Sequence, residues 1–138
     1  MRIINRLLIA CSIAMTFLCC IYAGPGEAYE VKEKSLSEKV DASSLVFFGT
    51  ITDANYRAFG IDSNERIALV RVDTVLKGSA SGVVRVRYAT GSPESDLKCC
   101  RAGERYLFFM SANTLGVLES VNGPFGAYRI DDHAFAPQ

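Results

Sequence analysis

The sequence predicts a small all-β barrel with one short helix near its start. Three observations carry this. Five segments rich in β-branched and aromatic residues follow one another at short spacing. Turns rich in Gly, Ser, Asn and Pro separate them, and one stretch alone carries a helix-start signal. Residues of the first kind suit a pleated, half-buried surface. Many short strands joined by such turns indicate a sandwich or a barrel.

Residues 1–28 read as a signal peptide outside the fold. Arg2 and Arg6 give a positive start, and residues 7–23 carry no charge. Gly26-Glu27-Ala28 then sets small residues three and one positions before a cut at Tyr29, the pattern of a signal-peptidase site. A cut after Ala23 is one alternative. A retained anchor is another, though the apolar run falls short of the roughly 20 residues that span a bilayer. Lipidation at Cys11, or at Cys19 or Cys20, is a third. The expected location is the periplasm, the cell envelope or the medium. Membrane contact is expected only through this segment, if it is uncleaved or lipidated.

Residues 29–138 form the expected domain. Ser35-Leu36-Ser37-Glu38 has the spacing of a capping box, so a helix is expected over 35–42, with Leu36 and Val40 on one face. Residues 45–53 make the first strand. Gly49 in its middle marks a bulge or bend of the kind that lets a small barrel close. A polar loop covers 55–65. Residues 67–77 alternate: Ala68, Val70, Val72, Thr74 and Leu76 lie on one face, and Leu69, Arg71, Asp73, Val75 and Lys77 on the other. After a turn at 78–82, residues 83–88 repeat the pattern, with Val84, Val86 and Tyr88 inward and Arg85 and Arg87 outward. The two segments make an antiparallel hairpin. A loop at 89–98 leads to a strand at 105–110 that is apolar on both faces. A shorter strand at 115–120, a turn at 122–126, a short edge strand at 127–130 and a tail follow. The expected whole is a five-stranded Greek-key barrel of the OB type. About 110 residues suffice for a core that buries somewhat under 70% of the unfolded chain's surface.

Charge and motifs narrow the function. Lys and Arg together number 15, as do Asp and Glu, so no basic footprint points to nucleic acid. Nor is there a platform of aromatic residues interleaved with basic ones. The chain has no Ser/His/Asp arrangement, no Gly-rich phosphate loop and no metal-ligand spacing. No catalytic residue, cofactor or metal is therefore expected. Asp131-Asp132-His133 reads as a solvated tail. Arg71, Lys77, Arg85 and Arg87 read as a wet strand face offset by Asp73, and Glu104 and Arg105 as the frame of a turn.

Cys99-Cys100 is the most unusual local feature, since the other three cysteines all lie in the leader. Exported cysteines usually pair. Neighbours sit ~3.8 Å apart at Cα while disulfides favour ~5.5 Å, so a bond between them is strained and more easily reduced. A vicinal disulfide, buried free thiols, an intermolecular bridge, or pairing with a retained Cys19 or Cys20 all remain open.

Three stretches, in order, resemble a known family. They are Leu45-Val46-Phe47-Phe48-Gly49-Thr50-Ile51, then Val72-Asp73-Thr74-Val75-Leu76-Lys77-Gly78, then Cys100 with Gly103-Glu104 and Arg105-Tyr106-Leu107-Phe108-Phe109. Together they resemble the netrin-like domain, shared with the tissue inhibitors of metalloproteinases and carried by small exported bacterial proteins. The resemblance implies an OB-like barrel and a non-enzymatic, protein-binding role, with Gly49, Lys77, Gly78, Cys100, Gly103, Tyr106 and Leu107 as motif residues. The partner is then an extracytoplasmic protein. In the metalloproteinase inhibitors, the amine and carbonyl of a first-residue cysteine chelate the target's zinc. Here a cut after Ala28 leaves Tyr29 first, and no cysteine follows Cys100, so no inhibitory residue carries over. A redox or assembly role for Cys99 and Cys100 is the alternative, and metalloprotease inhibition a third.

Overall fold

Ser35 caps the helix as its spacing predicts. Its hydroxyl accepts from the Glu38 N–H at 3.3 Å, and the Glu38 carboxylate accepts from the Ser35 N–H at 2.8 Å. The computed structural model describes residues 30–57 and 64–130. Within them lie one α-helix, α1 (Leu36–Ala42), a short 3-10 helix (Gly123–Phe125), and six strands: β1 (Leu45–Tyr56), β2 (Arg66–Lys77), β3 (Val83–Ala89), β4 (Arg105–Ala112), β5 (Leu118–Ser120) and β6 (Ala127–Arg129). The expected leader with its candidate cleavage and lipidation positions, and residues Asp131-Asp132-His133, lie outside the described residues.

The strands pair in the order β1-β2-β3-β5-β4, and β4 pairs back onto β1. This closes a five-stranded barrel with the Greek-key order of an OB fold. Every pairing is antiparallel except β3–β5, which is parallel and rests on the single pair Val86–Leu118. One edge of β4 faces β1. The other is divided, with β5 at its far half and β6 at its near half. Phe47, Ile51, Val70, Val86, Phe108 and Met110 fill the interior, and the Phe47 and Phe108 rings stack 5.1 Å apart.

The even alternation expected along β2 fails past Val72. Phe48 pairs with Thr74 and Gly49 with Val72, so Asp73 is an extra residue on β2. A second shift skips Leu76. These bulges reverse the strand's parity. Val75 therefore packs on the core, while Thr74 and Leu76 face solvent, Leu76 being 57% exposed. Asp73 is held by three strands: it accepts from Thr50 Oγ1 at 2.8 Å and pairs with Arg71 and Arg105. Gly49 sits beside this bulge because nothing larger fits. A Cβ there would lie 2.6 Å from Val70 Cγ1 and 3.0 Å from the Arg71 carbonyl oxygen.

Two further expectations are corrected. Residues 115–117 are not strand: Asn113 Oδ1 accepts from the N–H groups of Leu115 and Val117 and folds them into a turn, leaving Leu115 exposed. The helix buries Lys39, while Leu36 is 64% exposed. Lys39 faces β6, where Glu33 and Tyr128 receive its ammonium. β4 does cover both faces. Tyr106, Phe108 and Met110 join the barrel core, and Phe109 is buried on the other side with Tyr128 edge-on to its ring.

Candidate functional site: a cleft at one mouth of the barrel

Residues 101–104 form a tight turn in which the Glu104 N–H donates to the Arg101 carbonyl. Gly103 holds φ +85°, the left-handed value that glycine adopts without strain. Backbone bonds between Ile51 and both Gly103 and Glu104 carry the β1–β4 ladder into this turn. Arg101 and Glu104 are thereby brought to one side of it, and Tyr106, two residues past Glu104 on β4, shares Glu104's face.

A cleft of about 690 Å³ opens here. Ala54 and Asn55 at the end of β1, Tyr88 at the end of β3, the 98–102 segment, Glu104, Tyr106 and Arg129 of β6 line it. Tyr88 donates its hydroxyl to the Ala54 carbonyl at 2.5 Å and pins β3 to β1 across the mouth. Tyr106 is 4% exposed; its hydroxyl donates to Glu104 Oε2 at 2.5 Å and accepts from the Cys100 N–H at 3.4 Å. Arg101 and Arg129 each reach Glu104 Oε1 at 3.5 Å.

These contacts shift the titration of both groups. The Tyr106 hydroxyl and the two guanidiniums hold the Glu104 carboxyl below its ordinary value. Burial, then the bond to Glu104, raises the Tyr106 phenol. In their bond Glu104 is the acceptor and Tyr106 the donor.

Cys99 and Cys100 are joined as a vicinal disulfide in the cleft wall. Cys100 is buried and Cys99 half-buried. Cys100 has φ +91°, the one positive value held by a non-glycine among the described residues. That region is costly for a side chain with a Cβ.

The sequence-predicted motif residues divide between this site and the framework. Cys100 and Tyr106 line the cleft and Gly103 shapes its turn. Gly49 belongs to the strand crossing, and Leu107 is half-buried between Phe48 and Tyr128. Lys77 donates to the Val40 and Asp41 carbonyls, ending α1, and Gly78 at φ +81° passes so close to Ser44 that a Cβ would lie 2.3 Å from its carbonyl oxygen. Arg71, Lys77, Arg85 and Arg87 do not gather: Arg71 pairs with Asp73, Arg85 reaches the Leu115 carbonyl, and Arg87 pairs with Glu65 and Glu119. Sequence reasoning missed Lys98, Tyr88 and Arg129 and read Glu104 as part of a turn. The available signals were Arg101 and Glu104 three apart, and Glu104 and Tyr106 two apart at the mouth of a strand.

No protein-family model matches the chain, and no curated protein is significantly similar to it.

Proposed function

We propose that the chain is an exported, non-enzymatic binding module of netrin-like kind, which engages an extracytoplasmic protein through the barrel mouth around Arg101. The single observation that carries this is the cleft itself, where the exposed Arg101 side chain meets the carboxylate of a hydrogen-bonded Glu104–Tyr106 pair. The OB strand order supports the netrin-like reading, and so do the three motifs in their order. The test is crosslinking in the living host. A photoreactive residue replacing exposed Ala102 beside the cleft is expected to give a discrete protein adduct. The same residue at exposed Leu36 on α1 is expected to give none. Equal adducts at both positions, or none at Ala102, would sink the reading.

A second reading, a redox role for the cysteine pair, is favoured by one observation: Cys100 is held at φ +91° beside an open cleft. A thiolate of a reducing dithiol would attack one cystine sulfur, forming a mixed disulfide. Its second thiol would then release Cys99 and Cys100 as two thiols and leave the reductant oxidised. Thiol titration in graded thiol–disulfide buffers tests it. A pair that stays oxidised below about −300 mV behaves as an inert structural bond and removes the redox role.

A further inference from the structure

Cys99 and Cys100 share one bond and one cleft wall but not one environment. Cys100 is 6% exposed and belongs to the barrel core, in one cluster with Leu97 and Tyr106. Cys99 is half-buried and packs against that core. The backbone fixes the difference. The Leu97 N–H donates to the Tyr88 carbonyl at 2.9 Å, and the Cys99 N–H to the Leu97 carbonyl at 2.8 Å, so the chain is tied to β3 just before the pair. The Cys100 N–H meets the Tyr106 hydroxyl of β4 just after it. Anchored on both sides, the pair keeps one cysteine inward and the other toward the cleft.

Thiol–disulfide exchange depends on which sulfur is attacked, on access to it and on how readily the other sulfur leaves. Here access and leaving group oppose each other. Attack on Cys100 has the better leaving group, half-buried Cys99, but must come through the core. Attack on Cys99 is open from the cleft, and it makes Cys100 the leaving group, where apolar burial disfavours a thiolate. Leaving-group basicity scales the rate of exchange, whereas a sulfur closed off by the core receives no nucleophile. Access therefore decides.

We propose that Cys99 is the sulfur through which this pair exchanges with thiols, and that Cys100 is the resolving sulfur. This rests on the redox reading of the pair and assigns its two sulfurs their roles. The thiolate of a dithiol reductant enters the cleft and bonds to Cys99 Sγ. The Cys99–Cys100 bond breaks, its electron pair passes to Cys100 Sγ, and that sulfur takes a proton from water. The mixed disulfide then has two exits. In one, the reductant's second thiolate attacks the reductant's own bonded sulfur, which frees Cys99 as a thiol and leaves the reductant a disulfide. In the other, Cys100 loses its proton, attacks Cys99 Sγ and expels the reductant unchanged. For a monothiol the first exit needs a second molecule, so Cys100 mostly returns it.

The experiment traps the mixed disulfide on the folded chain as its host processes it. The chain is mixed with a large excess of glutathione and quenched in acid, which removes the thiolates that would reshuffle the adduct. Free thiols are then blocked with N-ethylmaleimide, and the two modifications are placed by fragmentation mass spectrometry. Glutathione is expected on Cys99 and the maleimide on Cys100. Two variants give the rates. Cys100→Gly leaves Cys99 alone, with a residue that adopts the φ of +91° without strain. Cys99→Ser leaves Cys100 alone in the core. With glutathione disulfide as the probe, Cys100→Gly is expected to take up glutathione at least about tenfold faster than Cys99→Ser, as exposure of the thiol predicts. Glutathione on Cys100 in the native chain, equal rates in the two variants, or no adduct until the chain is unfolded would each overturn the proposal. The redox reading fails separately. If Cys99 carries the adduct but the graded thiol–disulfide titration finds the pair inert, the assignment holds and the redox role falls. If the pair reduces readily and both sulfurs carry adducts, the redox role stands and the assignment falls.

Discussion

On one side of β6, Tyr128 donates to Glu33 Oε1 at 2.5 Å, and the ammonium of Lys39 bonds to both. On the other side, Arg129 reaches Glu104, whose second oxygen accepts from Tyr106, again at 2.5 Å. Each cluster is a carboxylate, a tyrosine and a cation. They differ in where the cation lies. The Lys39 side chain is 3% exposed and sits over the Tyr128 ring at 4.7 Å, with both partners spent on it. Arg101 is 81% exposed and shares its carboxylate with a second arginine. The first cluster is closed, and ties residues 30–35 and α1 to the barrel. Asn122 assists, accepting from the Lys34 N–H and donating to the Lys32 carbonyl. The second cluster is open, with the Arg101 side chain toward solvent. The same kinds of group thus form a buried clasp in one place and an exposed surface cluster in the other.

The comparison breaks most sharply at its two cations. Lys39→Ala is expected to cost about 2 kcal/mol of stability, since it deletes a buried stem and leaves a void under α1. Arg101→Ala is expected to stay within about 0.5 kcal/mol, as an exposed side chain away from the core should. Lys39→Met separates packing from charge. It keeps the stem, and Glu33, half-exposed, can turn to water. Its cost should therefore fall to about 1 kcal/mol or less. Denaturant midpoints for the three variants check this. If Lys39→Met costs as much as Lys39→Ala, the ion pair and not the packing holds the clasp.

How far the sequence announced these features depends on how local each one is. The helix cap, the β2–β3 hairpin and the two-faced β4 were legible because their signals lie within a few residues: Ser35 and Glu38, the alternation from Ala68 to Val72, the run from Tyr106 to Met110. The parity of β2 was not. Val72-Asp73-Thr74-Val75-Leu76 offers apolar residues to either face, and the choice is made by Gly49, Thr50 and Arg105 on other strands. The cleft was half legible. Cys99, Cys100 and Gly103 stood out, but Tyr88 and Arg129 arrive from distant strands. Tyr106 was read as core, which its ring is; its hydroxyl is what reaches the site. Lys39 carried no signal, because a lysine in a short polar helix is ordinarily solvated.

Acid and alkali should separate the clusters next. Lys39 and Tyr128 hold Glu33 below the ordinary carboxylate value, and Tyr106 with the arginines does so for Glu104. A depressed folded value contributes stability that is complete above the unfolded value and is lost as pH falls through the folded one. Both clusters therefore weaken in acid. For Lys39, burial disfavours the charge, but the bonds to Glu33 and Tyr128 outweigh it and raise the group above the ordinary lysine value. That contribution is complete below the unfolded value and is lost as pH rises through the folded one. Glu33→Gln should thus flatten the acid arm of a stability-against-pH curve and also bring the alkaline loss to lower pH. Glu104→Gln should flatten the acid arm and also reduce the alkaline loss that belongs to Tyr106, whose phenol Glu104 helps to raise, while leaving the Lys39 loss in place. A Glu104→Gln curve with a displaced Lys39 arm would mean that the two clusters are coupled across β6.

Only a small change in stability is expected from the Cys99–Cys100 bond. A disulfide between neighbours closes almost no loop, so the chain-entropy relation gives it only about 1 kcal/mol. Against this, reduction frees Cys100 to leave φ +91°, a conformation that costs a non-glycine residue roughly 1–3 kcal/mol. The two terms oppose each other, and unfolding midpoints with and without a dithiol should agree to within about 1 kcal/mol. The local effect is different. If Cys100 leaves that conformation, its N–H no longer points at the Tyr106 hydroxyl, and the contact that ties the disulfide to Glu104 is lost. Amide signals from 97–106 should move on reduction, while those of α1 and the Lys39 clasp stay where they are. A loss of several kcal/mol would instead make the cystine a staple of the barrel. Unchanged amide signals around Tyr106 would disconnect it from the Glu104 cluster altogether.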